Sequence, residues 1–150
     1  MTRDPITASG ADTMVVALER MQQHRLHMMP VLDEGGVVLG VVTLFSILEH
    51  IVPNYITTGD LKSVTYAPDL GLLRRQYGVL IGESVMTVVD DEPLLVKPEE
   101  SLLSVASALI TFEKHEHALV ADARKRLLGV ISVGDILAYL KRAASEAPGA

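Results

Sequence analysis

The sequence predicts a mixed α/β fold made of two copies of one β-α-β-β-α unit. The segment Gly40–Ser46, GVVTLFS, recurs in the second half as Gly129–Asp135, GVISVGD. A spacing of roughly 90 residues is too long for a solenoid repeat and long enough for a small folded unit. Hydrophobic residues make up 49% of the chain and aromatic residues only 4%, so the core is expected to consist of aliphatic side chains between sheet and helix layers.

The first copy is predicted from its hydrophobic spacing and its turn residues. Met14, Leu18 and Met21 recur at the interval of one helix face. The Gly35-Gly36 pair separates two short apolar runs and predicts a turn between two strands. In chain order we expect a strand at 6–8, then a helix with Asp12 or Thr13 as its N-cap and its end at residues 23–25. A strand within 26–33, a turn at 34–36, a strand at 37–42 and a helix at 43–50 follow.

The second copy repeats this order. We expect a strand at 94–96, a helix at 101–114, a strand at 118–121, a turn at 122–125, a strand at 127–131 and a helix at 133–142. The chain is therefore divided into a first domain at 1–52, a linker at 53–82 with a helix at 69–77, a second domain at 83–143 and a flexible tail at 144–150. The linker is interpreted as a packed spacer rather than a dedicated partner surface.

Composition excludes several classes of function. The formal net charge of -6 argues against nucleic acid as a partner. The chain has no cysteine, so it can have neither a disulfide nor a thiolate zinc site, which suits a cytoplasmic location. The longest apolar stretch is too short and too interrupted to cross a membrane. We expect a soluble cytoplasmic protein with no membrane partner.

The repeated strand-to-helix turn carries the chemistry most suited to a ligand. Gly129 has no Cβ, so a ligand could approach the backbone closely. Ser132 stands where the next helix begins and offers a hydroxyl beside exposed amides. Asp135 could accept hydrogen bonds from two vicinal hydroxyls, the pair that a ribose presents. These three residues are the main candidates for a ligand site.

The same residues also fit a purely structural role. A serine followed three residues later by an acidic residue resembles a capping box, in which each side chain binds the other's backbone amide. Such a cap contributes on the order of 1 kcal/mol without any ligand. In the first copy Thr43 can still cap, but Ser46 stands where the second copy has Asp135. We therefore expect weak ribose recognition, or none, in the first copy.

The ordered motifs resemble the cystathionine-beta-synthase (CBS) domain. They are Val85-Met86-Thr87, of which Met1-Thr2 is the remnant in the first copy, then a strand, an amphipathic helix, a strand ending in PVLD or LVAD, a turn, and the repeated glycine segment. The resemblance implies two CBS units paired through their sheets about a pseudo-two-fold axis, as a Bateman module that often forms a homodimer. It also implies binding of AMP, ADP, ATP or S-adenosylmethionine and regulation of a partner protein, which is unknown here.

Further site residues follow from this resemblance. Leu94, Val96 and Ala118 match positions that enclose adenine in the family, although for each residue taken singly a plain core role is favoured. In related repeats a basic residue six positions before the strand-closing Asp contacts phosphate, and His27 holds that position here. Its counterpart in the second copy is Glu116, which would repel phosphate and favour S-adenosylmethionine or adenosine. Thr43 completes the set of candidate ligand-binding residues.

Two other functional classes fit parts of the sequence. A ligand-free dimerisation or scaffold module would use both turns only as caps. An enzyme built on metal-binding histidines would need His24 with His27, or His115 with His117, to find further ligands. The sequence has no G-x-S-x-G, P-loop or H-E-x-x-H motif, so we expect neither catalysis nor a metal.

Overall fold

The structure is a computed structural model that describes residues 1–52 and 69–146. Residues 53–68 of the predicted linker and 147–150 of the predicted tail lie outside the described part. The chain forms two compact units. The first unit contains Thr7–Asp33 and Leu39–Asp91, and the second contains Met1–Ile6, Glu34–Val38 and Glu92–Ala150. Each unit is therefore built from separate stretches of chain. The predicted domains at 1–52 and 83–143 are single continuous stretches, and their boundaries stay a prediction.

The first unit is a three-stranded sheet with helices, and its elements match the predicted order. Its sheet order is β1-β2-β3, with β1 parallel to β2 and Ala8 opposite Val31. The elements are β1 Ala8–Ser9, α1 Met14–Gln23, β2 Met28–Leu32, β3 Val38–Thr43, whose first residue counts with the second unit, α2 Leu44–Ile51, α3 Asp69–Leu80 and a 3₁₀ helix Val85–Thr87. Met14, Met21 and Met29 are almost fully buried, as the helical spacing predicts for the first two.

The second unit repeats this architecture with a sheet of its own. Its elements are β4 Leu95–Val96, α4 Leu102–Phe112, β5 His117–Ala121, β6 Leu127–Ser132 and α5 Val133–Glu146. The sheet order is β4-β5-β6, in which β4 runs parallel and β6 antiparallel to β5. One core cluster joins the sheet to the helices through Val96, Val105, Leu109, Ala118, Val120 and Ile136. The predicted mixed α/β fold is confirmed.

Local chemistry explains where the helices begin and end. Ser101 caps α4 by accepting the Ser104 amide at 3.1 Å. Helix α4 ends at Phe112, and the next residue, Glu113, has a left-handed φ of 59°. Thr13 precedes α1 without a side-chain capping bond. Helix α5 continues to Glu146, four residues beyond the predicted end at Arg142, because the next helix breaker is Pro148. The flexible tail at 144–150 stays a prediction.

Each repeat is preceded by a residue that pairs, through its backbone, with the last strand of one unit. In the second unit, Thr2 exchanges two backbone hydrogen bonds with Val130 of β6, at 2.8 and 2.9 Å. In the first unit, Asp90 exchanges two with Val41 of β3, at 2.8 and 3.0 Å. Thr2 therefore corresponds to Asp90 by its pairing, which differs from the predicted match of Met1-Thr2 with Met86-Thr87.

Candidate functional site

The turn between β6 and α5 is closed by reciprocal hydrogen bonds. The Ser132 amide donates to Asp135 Oδ2 at 3.0 Å, and the Asp135 amide donates to Ser132 Oγ at 3.0 Å. Both residues are partly buried. This arrangement is a capping box with a carboxylate in its third position. The structural role considered for Ser132 and Asp135 is thus confirmed, and it uses one of the two carboxylate oxygens.

The equivalent turn of the first unit closes in the same way with a hydroxyl. The Ser46 amide donates to Thr43 Oγ1 at 2.9 Å, and the Thr43 amide donates to Ser46 Oγ at 3.0 Å. Ser46 Oγ also donates to the Thr43 carbonyl at 2.9 Å. A serine therefore suffices to complete this cap. Asp135 Oδ1 takes part in neither capping bond of its own turn, so the carboxylate supplies more than the cap requires.

The residues just before the central strands β2 and β5 accept backbone hydrogen bonds from the first residues of α2 and α5. The Leu44 amide donates to the His27 carbonyl at 3.0 Å, and the Val133 amide donates to the Glu116 carbonyl at 3.0 Å. His27 and Glu116 both have exposed side chains. His27 and Thr43 thus come together in the first unit, and Glu116 comes to the turn that carries Ser132. A phosphate contact by His27 stays a prediction.

Gly129 is required by a close approach of the chain itself. A Cβ added at Gly129 would lie 2.8 Å from the Thr2 carbonyl oxygen and 2.9 Å from Met1 Sδ. In the first unit, a Cβ at Gly40 would collide with the Asp90 carbonyl oxygen and with Val89. The space that the sequence assigned to a ligand is therefore filled by Met1 and Thr2. A contact between Gly129 and a ligand stays a prediction without support from this geometry.

The three residues predicted to enclose adenine belong to the core of the second unit. Ala118 has no exposed surface and Val96 is 4% exposed. Leu94 packs against the same cluster, and its carbonyl accepts the Leu119 amide at 2.9 Å. Ala118 could reach a ligand only if the core moved. In this structure the Ala118 side chain is a core residue. The adenine contacts of Leu94, Val96 and Ala118 stay predictions.

Asp122 organises a turn, a role that the sequence analysis missed. Its carboxylate accepts the amides of Arg124 and Arg126 at 2.9 Å and the Arg126 side-chain Nε at 2.9 Å. The Arg126 amide is the main cause that holds the pKa of Asp122 below its ordinary 3.8, and the other hydrogen bonds add to it. The signal available was an aspartate followed by polar residues between two strands.

The described residues also bear on the metal site and the membrane span discussed from the sequence. Within residues 1–52 and 69–146, no group of three or more His, Cys, Asp or Glu side chains is placed to hold a metal ion. Across the same ranges, every helix falls short of the length and apolarity that crossing a bilayer requires.

Comparison with known proteins gives a consistent family. A sequence model described as the CBS domain matches residues 1–53 and 83–142. The cystathionine beta-synthase of Dictyostelium discoideum is 23% identical over 138 residues, which cover 92% of this chain and 23% of that protein. The chain thus spans about a quarter of the length of that curated relative.

Solved structures share the fold. The CBS-pair protein CBSX2 from Arabidopsis thaliana has a TM-score of 0.76 and 20% identity, with 98% of this chain and 94% of that chain covered. The structure of CBSX2 in complex with AMP has a TM-score of 0.71 and 21% identity, with 96% and 93% covered. These similarities show the fold of the two repeats.

Proposed function

Since the chain belongs to the CBS domain family, we propose that it is a regulatory module that binds an adenosine ligand and acts through a partner protein. The ligand class is AMP, ADP, ATP or S-adenosylmethionine, and the proposed contact is the β6–α5 turn of the second unit. The proposed role is regulation rather than catalysis, and no metal takes part in it.

The observation that carries this proposal is the second oxygen of Asp135. The first unit closes its cap with Ser46, so a carboxylate is not needed for the cap. Asp135 keeps its cap with Oδ2 and leaves Oδ1 outside both capping bonds. An ionised oxygen accepts hydrogen bonds more strongly than a neutral one. Oδ1 therefore suits the vicinal hydroxyls of a ribose.

The comparisons support the class of ligand. One relative with the same fold was solved in complex with AMP. Because one fold can host different functions, this relative supports an adenosine ligand by analogy only. We carry over the ligand class only. Contacts with adenine through Leu94, Val96 and Ala118, and with phosphate through His27, are further parts of the proposal.

Charge at the turn favours a ligand with few phosphates. The exposed Glu116 contributes its carbonyl to the first amide of α5, and Asp135 adds a second carboxylate at the same turn. Like charges repel over a few ångströms. We therefore place S-adenosylmethionine and AMP before ATP.

A ligand-free dimerisation or scaffold module is the second candidate. Both turns close without a ligand, through the bonds of Ser46 and Asp135. Two helices also expose large apolar side chains, with Phe45 at 70% on α2 and Leu137 at 61% on α5. Exposed apolar surface of this kind favours association, so we propose a homodimer in either case. Sedimentation at several concentrations tests the dimer.

A thermal-shift titration with AMP, ADP, ATP and S-adenosylmethionine tests the binding proposal. A ligand at about a hundred times its dissociation constant adds about 2.7 kcal/mol of stability, which raises the melting temperature by several degrees at this chain length. A rise with one or more of them supports the sensor and names its ligand. An unchanged melting temperature with all four would leave the scaffold as the better account.

A further inference from the structure

A cavity in the second unit extends from Ile131, next to the capping turn, to the far end of the sheet. Its volume is about 580 Å³, within the range of small-molecule pockets. Three of its lining residues, Val96, Val120 and Leu128, lie where β4 and β5 end and β6 begins. Ser132 pairs with His117 at the opposite end of β5. This part of the cavity is therefore separated from the Ser132–Asp135 turn by the length of a strand.

Most of the cavity wall is apolar. Strands β4, β5 and β6 and helix α4 contribute its apolar side chains Val96, Leu102, Val105, Val120, Leu128 and Ile131. Val96, Val105 and Val120 belong to the core cluster of the second unit. A ligand with a hydrocarbon body could lie against this wall and lose its contact with water, which is favourable by about 0.8 kcal/mol for each buried CH₂ group.

Two cations line the same cavity. They are Arg3 and Lys97, and neither forms an ion pair with any carboxylate of the described residues. Glu100 lines the same cavity, and its Oε1 accepts the Lys97 amide at 3.1 Å while its Oε2 accepts Ser104 Oγ at 3.0 Å. The lining therefore carries two cations and one carboxylate, an excess of positive charge. In a chain of net charge -6, two cations without carboxylate partners at one apolar cavity favour an anionic ligand group.

The corresponding place in the first unit lacks this combination. Ala8 pairs with Val31 there as Val96 pairs with Val120 here. The cavity beside it is smaller, about 330 Å³, and its lining includes Asp12, Asp33 and Arg20. Arg20 donates to Asp12 Oδ2 at 3.2 Å, so its charge is already balanced. An apolar wall with more cations than carboxylates is thus found at the cavity of the second unit and not at this cavity of the first.

We propose that this cavity binds an amphipathic monocarboxylate. The hydrocarbon body lies against Val96, Val120 and Ile131, and the carboxylate lies between Arg3 and Lys97. An arginine guanidinium can hold a carboxylate through two parallel hydrogen bonds. This site shares Val96 with the proposed adenine contacts, but it includes neither Ser132 nor Asp135. Octanoate binding depends on Arg3 and Lys97 and the ribose contact on Asp135, so variants of these residues test the two proposals independently.

The test uses octanoate as the probe and methyl NMR as the readout. Acetate has the same head without the chain, and octanol has the same chain without the charge. We expect octanoate to shift the methyl signals of Val96, Val120 and Ile131 in a saturable way. Acetate should leave them unshifted, and octanol should bind about tenfold more weakly than octanoate because it lacks a charged hydrogen-bonding group.

Charge variants separate this site from a general attraction to anions. Arg3→Gln combined with Lys97→Gln should weaken octanoate binding by about tenfold and leave octanol binding unchanged. Arg124→Gln, an exposed cation outside the cavity, is the matched control and should change neither. Because Arg3 and Lys97 are exposed, the variants are expected to keep the melting temperature of the parent chain.

A space-filling pair gives an independent check. Leu128→Trp places a larger side chain at the cavity wall and should weaken octanoate binding, whereas Leu103→Trp on the exposed face of α4 should not. The proposal is overturned if octanoate shifts no methyl groups of the cavity, if octanol binds as tightly as octanoate, or if inorganic phosphate competes equally well. The last result would indicate an anion site without an apolar component.

Discussion

Asp135 and Ser132 bind each other's backbone amides, both at 3.0 Å. The same box is closed in the first unit by Ser46 and Thr43, with a hydroxyl in place of the carboxylate. The two units therefore share one structural solution and differ in one charged oxygen. The helix cap and the proposed ribose contact can therefore be tested apart, because Asp135→Ser removes the charged oxygen and keeps a hydroxyl that can close the cap.

The cap at the β6–α5 turn should stabilise the protein without any ligand. Asp135→Ala removes the acceptor for the Ser132 amide and should lower the free energy of unfolding by about 1 kcal/mol. Asp135→Ser restores the hydroxyl that Ser46 provides in the first unit and should recover most of that loss. Urea denaturation of the two variants measures the difference. Equal loss in both would mean that a hydroxyl cannot close this turn.

Gly129 should tolerate no side chain. Gly129→Ala places a Cβ within 2.8 Å of the Thr2 carbonyl oxygen and should cost about 1–3 kcal/mol of stability. Gly134→Ala is the matched control, since the nearest atom to its Cβ is Ser132 Oγ at 3.6 Å and a helical Gly→Ala change stabilises by about 0.5–1 kcal/mol. Thermal melting of both variants checks this. A neutral Gly129→Ala would argue that Met1 and Thr2 do not pack there in solution.

The methionine core of the first unit should be sensitive to truncation. Met21 is fully buried, and Met21→Ala should lower the unfolding free energy by about 2–5 kcal/mol. Met86 is 41% exposed, so Met86→Ala should cost clearly less, because less apolar surface is lost from burial. Chemical denaturation compares them. Similar costs would contradict the burial of α1 on this sheet.

Asp122 should make the turn before β6 sensitive to acid. Hydrogen bonds to its ionised form, chiefly from the Arg126 amide, lower its folded pKa below 3.8. A group of this kind contributes stability at pH values above its unfolded pKa, and loses that contribution as the pH falls below about 3.8 through the folded pKa. A carboxyl ¹³C NMR titration should give Asp122 a midpoint below 3.8. A midpoint at or above 3.8 would contradict these hydrogen bonds.

The fold was largely predictable because each local signal was written twice. The helical spacing of Met14 and Met21, the Gly35-Gly36 turn and the cap at Thr43 are all short-range patterns, and the second copy repeats the same order of elements. The helix predicted at 69–77 is present and extends to Leu80. End positions were less exact. Ala143 and Ala144 favour helix and carry α5 past the predicted end at Arg142, whereas helix ends in general vary by one or two residues.

The site was less predictable because its contacts are long-range. The repeated Gly40 and Gly129 were visible in the sequence, yet nothing local indicates that Asp90 and Thr2 fill the space beside them. The burial of Ala118 likewise depends on how a strand packs against helices from other parts of the chain. The spacing of Ser132 and Asp135 fits a cap and a ligand contact equally well, so residue order alone could not separate the two roles.

The most direct test of the account is a calorimetric titration of AMP, ADP, ATP and S-adenosylmethionine, one at a time, into the parent chain and into Asp135→Ser. We expect at least one ligand to bind the parent, and the variant to bind it at least tenfold more weakly because a charged acceptor for the ribose is lost. The variant should keep its fold, since the serine preserves the cap. Equal affinity in both proteins would contradict the assignment of the ribose contact to Asp135, and absence of binding to the parent would contradict the sensor function.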